Sequence, residues 1–221
     1  MTSHRPTRPP GRPPREEGPA VTREALLDEA ARMIGDRGFE GTSVRGLAQA
    51  LGVSHGTVQR HFATKRELWE ALVDEVLVPN IVTNRGNPRE PVAQGLAGEI
   101  ARRLAPSEQP PGLTGAILTD GSPGALERLT YLGRALRPFQ RANGAGLLAR
   151  RSRGEIRPID PRAVMALIGI AIATLGSSST ALQAIVGVDL ANDEARAHLT
   201  AELTDLLLYG ILPRAEDGPP A

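Results

Sequence analysis

The chain has 221 residues, 40% hydrophobic and 23% charged, which is enough to enclose a sizeable core as one body or as a small domain joined to a larger one. It has no cysteine, which excludes disulfides, zinc-thiolate sites and thiol nucleophiles and fits a reducing cytoplasm. The net charge of +1 argues for no partner by itself, but residues 1–66 hold eleven of the 26 Lys and Arg and only seven of the 25 Asp and Glu, so the basic excess lies at the N-terminus.

Residues 1–20 contain six prolines and four arginines. Such a segment buries too little apolar surface to order itself, and an extended Arg/Pro-rich arm is expected. It has no apolar run of the kind a signal peptide needs. Gly11-Arg12-Pro13 has the core of a minor-groove AT-hook, although Pro10 stands where a basic residue is expected; general attraction to phosphates is the broader reading.

Residues 22–37 carry apolar side chains at Ala25, Leu26, Ala30, Met33 and Ile34, a helical spacing, with Thr22 placed to cap the start and Gly38 to end it. From Val44, small or apolar residues recur at Leu47, Ala48 and Leu51, which gives a short helix one buried stripe. Gly52 supplies the positive φ that a tight turn demands, Val53 fills the angle, and Ser54 is a good N-cap for a second short helix. That helix turns Val58 and Phe62 inward and leaves His55, Gly56, Thr57, Gln59 and Arg60 on a polar or bare face. Ala48 and Gly56, both small, are expected to let the two helices approach closely and to let the second one seat deeply. Thr64-Lys65-Arg66-Glu67 then has capping-box spacing before Leu68, Trp69, Leu72, Val73 and Val76, so a connecting helix begins there and Pro79 is expected to end it. Three helices and a connecting helix, with the middle pair meeting at one glycine, suit a helix-turn-helix whose second helix enters the DNA major groove.

The run from Phe39 to Leu68 resembles the DNA-binding domain of the TetR family of bacterial transcriptional regulators. Gly52, Val53, Ser54, Gly56, Thr57, Val58, His61, Phe62, Lys65 and Leu68 match the family's signature. Gln59 departs from it: family members usually carry an aromatic there that packs on the DNA backbone, and this chain offers an amide instead. The resemblance implies DNA contacts from Thr42, Ser43, Arg45, Ser54, His55, Gly56, Thr57, Gln59, Arg60, His61 and Lys65. Lys65 is the one lysine of the chain and stands where the family contacts a phosphate.

Beyond the connecting helix a turn is expected at residues 84–90, then a helix over residues 91–104 with Val92, Leu96, Ile100 and Leu104 inward, a loop at 106–112 and a short apolar segment at 113–118. Ser122-Pro123 reads as a cap and first turn of a long helix carrying Leu126, Leu129, Leu132 and Leu136, kinked at Pro138 and stopped at residues 154–158. Residues 163–188 carry no charge. Their length invites a membrane reading, but Thr174, Ser177, Ser178, Ser179, Thr180 and Gln183 interrupt them and no basic cluster flanks them, so a helix buried on most faces is preferred. Residues 192–212 form its amphipathic partner, with Ala195, Leu199, Leu203, Leu206, Leu207 and Ile211 on one side.

The expected fold is therefore all-α: a disordered arm (1–20), an N-terminal helix-turn-helix domain (21–67), a C-terminal helical ligand-binding and dimerisation domain (68–213) and a flexible tail (214–221). The resemblance implies a homodimer through helices at about 162–186 and 192–212, reading a palindromic operator in double-stranded DNA, and released from it by a small-molecule effector. Candidate pocket residues are Leu96, Ile100, Ile117, Leu132, Leu136, Phe139, Met165 and Ile168, with polar handles at Thr114, Asp120, Tyr131, Gln140 and Asn143; an aromatic content of 3% leans toward an aliphatic ligand. An enzyme is not expected, because the four histidines, His4, His55, His61 and His198, do not converge and no metal spacing, phosphate loop or nucleophile elbow is present; no cofactor is expected either. The competing reading is a DNA-binding regulator that takes no ligand, or a protein-interaction adaptor.

Overall fold

The computed structural model describes residues 21–83, 90–105, 112–172, 174–175 and 179–212, and the expected arm, tail and the turns near residues 84–89 and 106–111 lie outside them. Among the described residues the chain is helical throughout, with no strand. Four helices open it: α1 (Arg23–Arg37), α2 (Val44–Ala50), α3 (His55–His61) and α4 (Lys65–Leu72). A π-helical stretch (Val73–Leu77) joins α4 to α5 (Val78–Thr83). There follow α6 (Val92–Leu104), α7 (Leu113–Leu118), α8 (Ala125–Ala135), α9 (Arg137–Ser152) and α10 (Pro161–Ala166) with a second π-helical stretch (Leu167–Ile172). The last two are α11 (Ser179–Val186) and α12 (Asp193–Ile211).

The capping residues read from the sequence act as their chemistry allows. Thr22 Oγ1 accepts from the Ala25 amide at 3.1 Å and Ser54 Oγ from Thr57 at 3.1 Å; Asn192, not among the expected caps, accepts from Ala195 at 3.0 Å. Thr64 accepts from Glu67 at 3.1 Å, while the Glu67 carboxylate reaches back one residue further than a capping box requires, to the amide of Ala63 at 2.9 Å.

Two apolar cores result. The first gathers Leu26, Leu27, Ala30, Met33 and Ile34 of α1, Leu47 and Ala48 of α2, Val58 of α3, Phe62, and Leu68, Trp69, Leu72, Val73 and Leu77 of the connecting helix. Leu113 and Ile117 of α7 and Leu132 of α8 close it, so this core crosses the expected boundary at residue 67. Gly112 makes that closure possible: its φ is +82° and a Cβ there would stand 3.1 Å from the Gly35 carbonyl, so α7 seats directly on the end of α1. The second core is built from Leu96, Ile100 and Leu104 of α6, Ile156, Val164, Ile172, Leu182 and Leu190, with Leu199, Leu203, Leu207 and Leu208 of α12 packed against it.

Several expectations are corrected. Pro79 does not end the connecting helix, because the π-helical stretch before it shifts the carbonyl a proline ring would strike, and the Asn80 side chain donates to the Val76 carbonyl at 2.8 Å. Ser122 does not cap α8. Gly124, at φ +82°, takes that place, and the Ser122 hydroxyl accepts from Arg128 instead, at 2.6 Å. Starting at Ala125, the helix turns Ala125, Leu129, Leu132 and Leu136 inward and leaves Leu126 79% exposed. Pro138 does not kink a continuous helix; the chain breaks at Leu136, and the proline sits in the first turn of α9, where no intrahelical amide is needed.

The uncharged residues of α10 to α11 are buried on one face, not most. Val164, Ile172 and Leu182 face the core, while Leu167, Ile170, Ile185 and Val186 are exposed, Ile185 at 82%. On α12, Leu206 and Tyr209 are 68% and 76% exposed, while Leu199, Leu203 and Leu207 pack against the core. Among the described residues no helix is long and apolar enough to cross a membrane.

Candidate nucleic-acid interface

Helices α2 and α3 meet at Gly52, whose φ is +66° with nothing within 4 Å of the point a Cβ would occupy, so the glycine is there for its backbone and not for space. Its amide donates to the Gln49 carbonyl at 3.2 Å and that of Val53 to Ala48 at 3.0 Å, which closes the turn. Val58 is completely buried beneath α3 and Phe62 nearly so. With its underside fixed, α3 presents one outer face.

That face holds Ser54, His55, Gly56, Gln59 and Arg60, all exposed, with Thr57 half-buried among them. The Ser54 and Thr57 hydroxyls are hydrogen-bonded at 2.8 Å, and Arg60 Nη2 donates to Thr57 Oγ1 at 3.4 Å, so three polar side chains line one edge. Gly56 lies on this outer face and not between the helices, with only Ser54 Oγ, at 3.9 Å, near a Cβ position. It keeps the face flat where a groove would press against it; Ala48 alone serves the close approach of the helices. On α2, Ser43 caps the helix by accepting from Gly46 at 3.0 Å and remains exposed, as does Arg45.

Three predicted contacts stand differently. Thr42 is buried, its hydroxyl donating to the Gly38 carbonyl at 3.1 Å, so it shapes the turn before α2. His61 is half-buried, and its carbonyl accepts from Arg23 Nη1 at 3.1 Å. Lys65 is engaged: Nζ lies 3.3 Å from Glu40 Oε2, 3.4 Å from the Glu40 carbonyl and 4.2 Å from the centre of the Phe39 ring.

Two long-range clamps hold this surface, and neither has a sequence signature. Arg23 pairs with both oxygens of Glu75 on the π-helical stretch, down to 2.6 Å, and covers the Phe62 ring at 4.5 Å. The hydrogen bonds from Arg23 hold the Glu75 carboxyl below its ordinary value. At the other end, Arg128 of α8 stacks on Phe39 at 4.0 Å and reaches Glu40 Oε1 at 3.4 Å. Arg128 is itself anchored on Asp120 Oδ2 at 2.6 Å. Burial works against the Asp120 carboxylate, but hydrogen bonds from Ser122 and Arg128 outweigh it and lower its pKa to about 2. Tyr131 completes the junction by donating to Asp74 at 2.8 Å, which raises the pKa of its hydroxyl.

The candidate pocket residues divide between the two cores. Ile117 and Leu132 are buried in the first, with Leu136 packed against it; Leu96 and Ile100 are buried in the second, with Ile168 packed against it. Phe139 and Met165 are half-buried, as are Thr114 and Asn143, while Gln140 is exposed. Asp120 and Tyr131 are committed to the junction. A cleft of about 630 Å³ opens there between α4 and α8, lined by Phe39, Lys65, Trp69, Glu127, Arg128 and Tyr131 among others.

The fold and this surface define a helix-turn-helix DNA-binding domain carried on a C-terminal helical body. Residues 26–72 match the model of the bacterial regulatory proteins of the tetR family, a match confined to this domain. It is 38% identical over 86 residues to the HTH-type transcriptional repressor KstR2 of Rhodococcus jostii, a stretch that covers 38% of this chain and 40% of that relative. The body is alike in fold alone: the fatty acid degradation regulator FadR of Bacillus halodurans superposes with a TM-score of 0.65 at 19% identity, over 89% of this chain and 98% of that one. The ketosteroid transcriptional regulator KstR2 of Mycobacterium tuberculosis gives 0.55 at 19% identity, over 87% and 95%.

Proposed function

We propose that this chain is a sequence-specific DNA-binding transcriptional regulator of the cytoplasm, a homodimeric repressor that leaves a palindromic operator when a small molecule fills its C-terminal body. The observation that carries the reading is the outer face of α3, polar and uncovered over a completely packed underside, in a domain that matches the tetR family. Arg60, Gln59, His55 and Thr57 are the base-reading candidates, with Ser43, Arg45, Ser54 and Lys65 on phosphates.

The exposed apolar side chains of the second π-helical stretch, α11 and α12 support pairing with a second copy, since Leu167, Ile170, Ile185, Val186, Leu206 and Tyr209 lie on the last helices of the body. A single seven-residue recognition helix spans few base pairs, and two of them related by a two-fold axis read a palindrome. An effector that favours one arrangement of the two recognition helices then shifts the population away from the DNA-bound state.

The test begins with a duplex selected from a random library by the wild-type chain. Arg60→Ala is expected to weaken binding by about 1–3 kcal/mol and relax preference at one position, whereas Lys65→Ala weakens all sequences alike and lowers the salt slope by about one. Equal losses on selected and random DNA for Arg60→Ala remove it from the base-reading set. A screen in which no metabolite releases the protein from that duplex leaves a ligand-independent regulator.

A further inference from the structure

Two cations share one carboxylate and one aromatic ring at the junction of the domains. Lys65 and Arg128 contact opposite oxygens of Glu40, at 3.3 and 3.4 Å, and both lie over Phe39, at 4.2 and 4.0 Å. Their surroundings differ sharply. Arg128 is 12% exposed and fixed to Asp120 and Ser122, so it does not itself extend to a bound duplex. Lys65 is 28% exposed on a flexible stem, and Glu40 is 55% exposed beside it. Lys65 is therefore the cation that can leave, and Arg128 the one that stays.

An approaching phosphate poses an electrostatic problem at this spot. If Lys65 turns toward it, Glu40 is left as an anion next to another anion, which opposes binding. With Arg128 in place the carboxylate keeps a partner when Lys65 departs. With Arg128 withdrawn, Glu40 holds Lys65 for itself. Resting on the proposal that Lys65 contacts a phosphate, we infer that Arg128 is a positioning residue for DNA binding: by neutralising Glu40 from the body, it releases Lys65 to the DNA. The docking of α8 on the Phe39 turn thereby sets the affinity of the DNA-facing surface.

The experiment is a mutant cycle on the full chain, with the selected duplex and its dissociation constant measured across a salt series. Arg128→Gln is expected to weaken binding about three- to fivefold, the range of a partly exposed ion pair, and to lower the salt slope by up to about one. Glu40→Gln is expected to bind as tightly as wild type or tighter, and in that background Arg128→Gln is expected to have no effect. An Arg128→Gln penalty that persists with Glu40→Gln, or a Glu40→Gln variant that binds more weakly than wild type, overturns the inference; the latter does not depend on Arg128 variants folding well. If Lys65→Gln changes neither affinity nor slope, the phosphate-contact reading itself fails, which is a distinct result.

Discussion

The helix-turn-helix end and the helical body solve the problem of burying helices in different ways. In the first 80 residues nearly every short helix is closed by a local device: Thr22, Ser43, Ser54 and Thr64 each cap the helix that follows, Gly38 and Gly52 turn the chain, and Leu26, Leu47, Val58, Phe62 and Leu72 meet in one core. The body relies on distance. Its helices break at Leu136, and its last helices keep large apolar side chains in solvent. A region whose order is local can present a rigid surface. A region whose last helices leave apolar faces uncovered has surface to offer a partner.

The largest effect should come from breaking the rigid half. Phe62→Ala empties a fully buried site beneath α3 and is expected to cost about 3–5 kcal/mol in chemical denaturation followed by circular dichroism. The opposite behaviour is expected of Ile185→Asp with Tyr209→Asp, which touch only exposed positions of the body. They should leave unfolding of the helix-turn-helix core within about 0.5 kcal/mol of wild type, yet weaken self-association by about 2–4 kcal/mol in sedimentation equilibrium. An unchanged monomer–dimer equilibrium would rule this face out as the dimer contact.

Two glycines separate backbone need from surface need within the first half. Gly52→Ala strains a positive φ and should cost about 1–2 kcal/mol of stability. Gly56→Ala meets open space and sits in a helix, so stability should hold or rise by up to about 1 kcal/mol while DNA affinity falls. If Gly56→Ala binds normally, close approach at that point is wrong. A pH-dependent effect concerns the seam between the halves. The Asp120 carboxyl is held at about 2 when folded against an ordinary 3.8, so the stability it contributes is present above about pH 4 and is lost as pH falls toward 2. Asp120→Asn should flatten that acid limb in a pH series of melting curves.

The uneven legibility of the sequence follows the same division. Caps, the turn at Gly52 and the inward pair Val58 and Phe62 are encoded within four residues of one another, so periodicity and turn chemistry reveal them. The contacts of Arg23 with Glu75 and of Arg128 with Glu40 join residues 52 and 88 apart and follow no period, and only the folded chain brings them together. Leu126 reads as inward from a helix capped at Ser122; the helix is capped two residues later, at Gly124, and its first buried position is Ala125. Thr42, polar and beside the motif, reads as a contact because hydroxyls serve DNA and turns equally well; its bond to the Gly38 carbonyl forms only in the folded chain.

Trp69 packs edge-on against Phe39 at 5.6 Å, and its indole nitrogen is buried with no hydrogen-bond partner among the described residues. It is the one tryptophan of the chain. An indole so enclosed emits at short wavelength, and water admitted by any parting of α8 from the Phe39 turn would redden the emission. The native chain thus carries its own fluorophore at the seam, and its colour reports the state of the domain junction without a label.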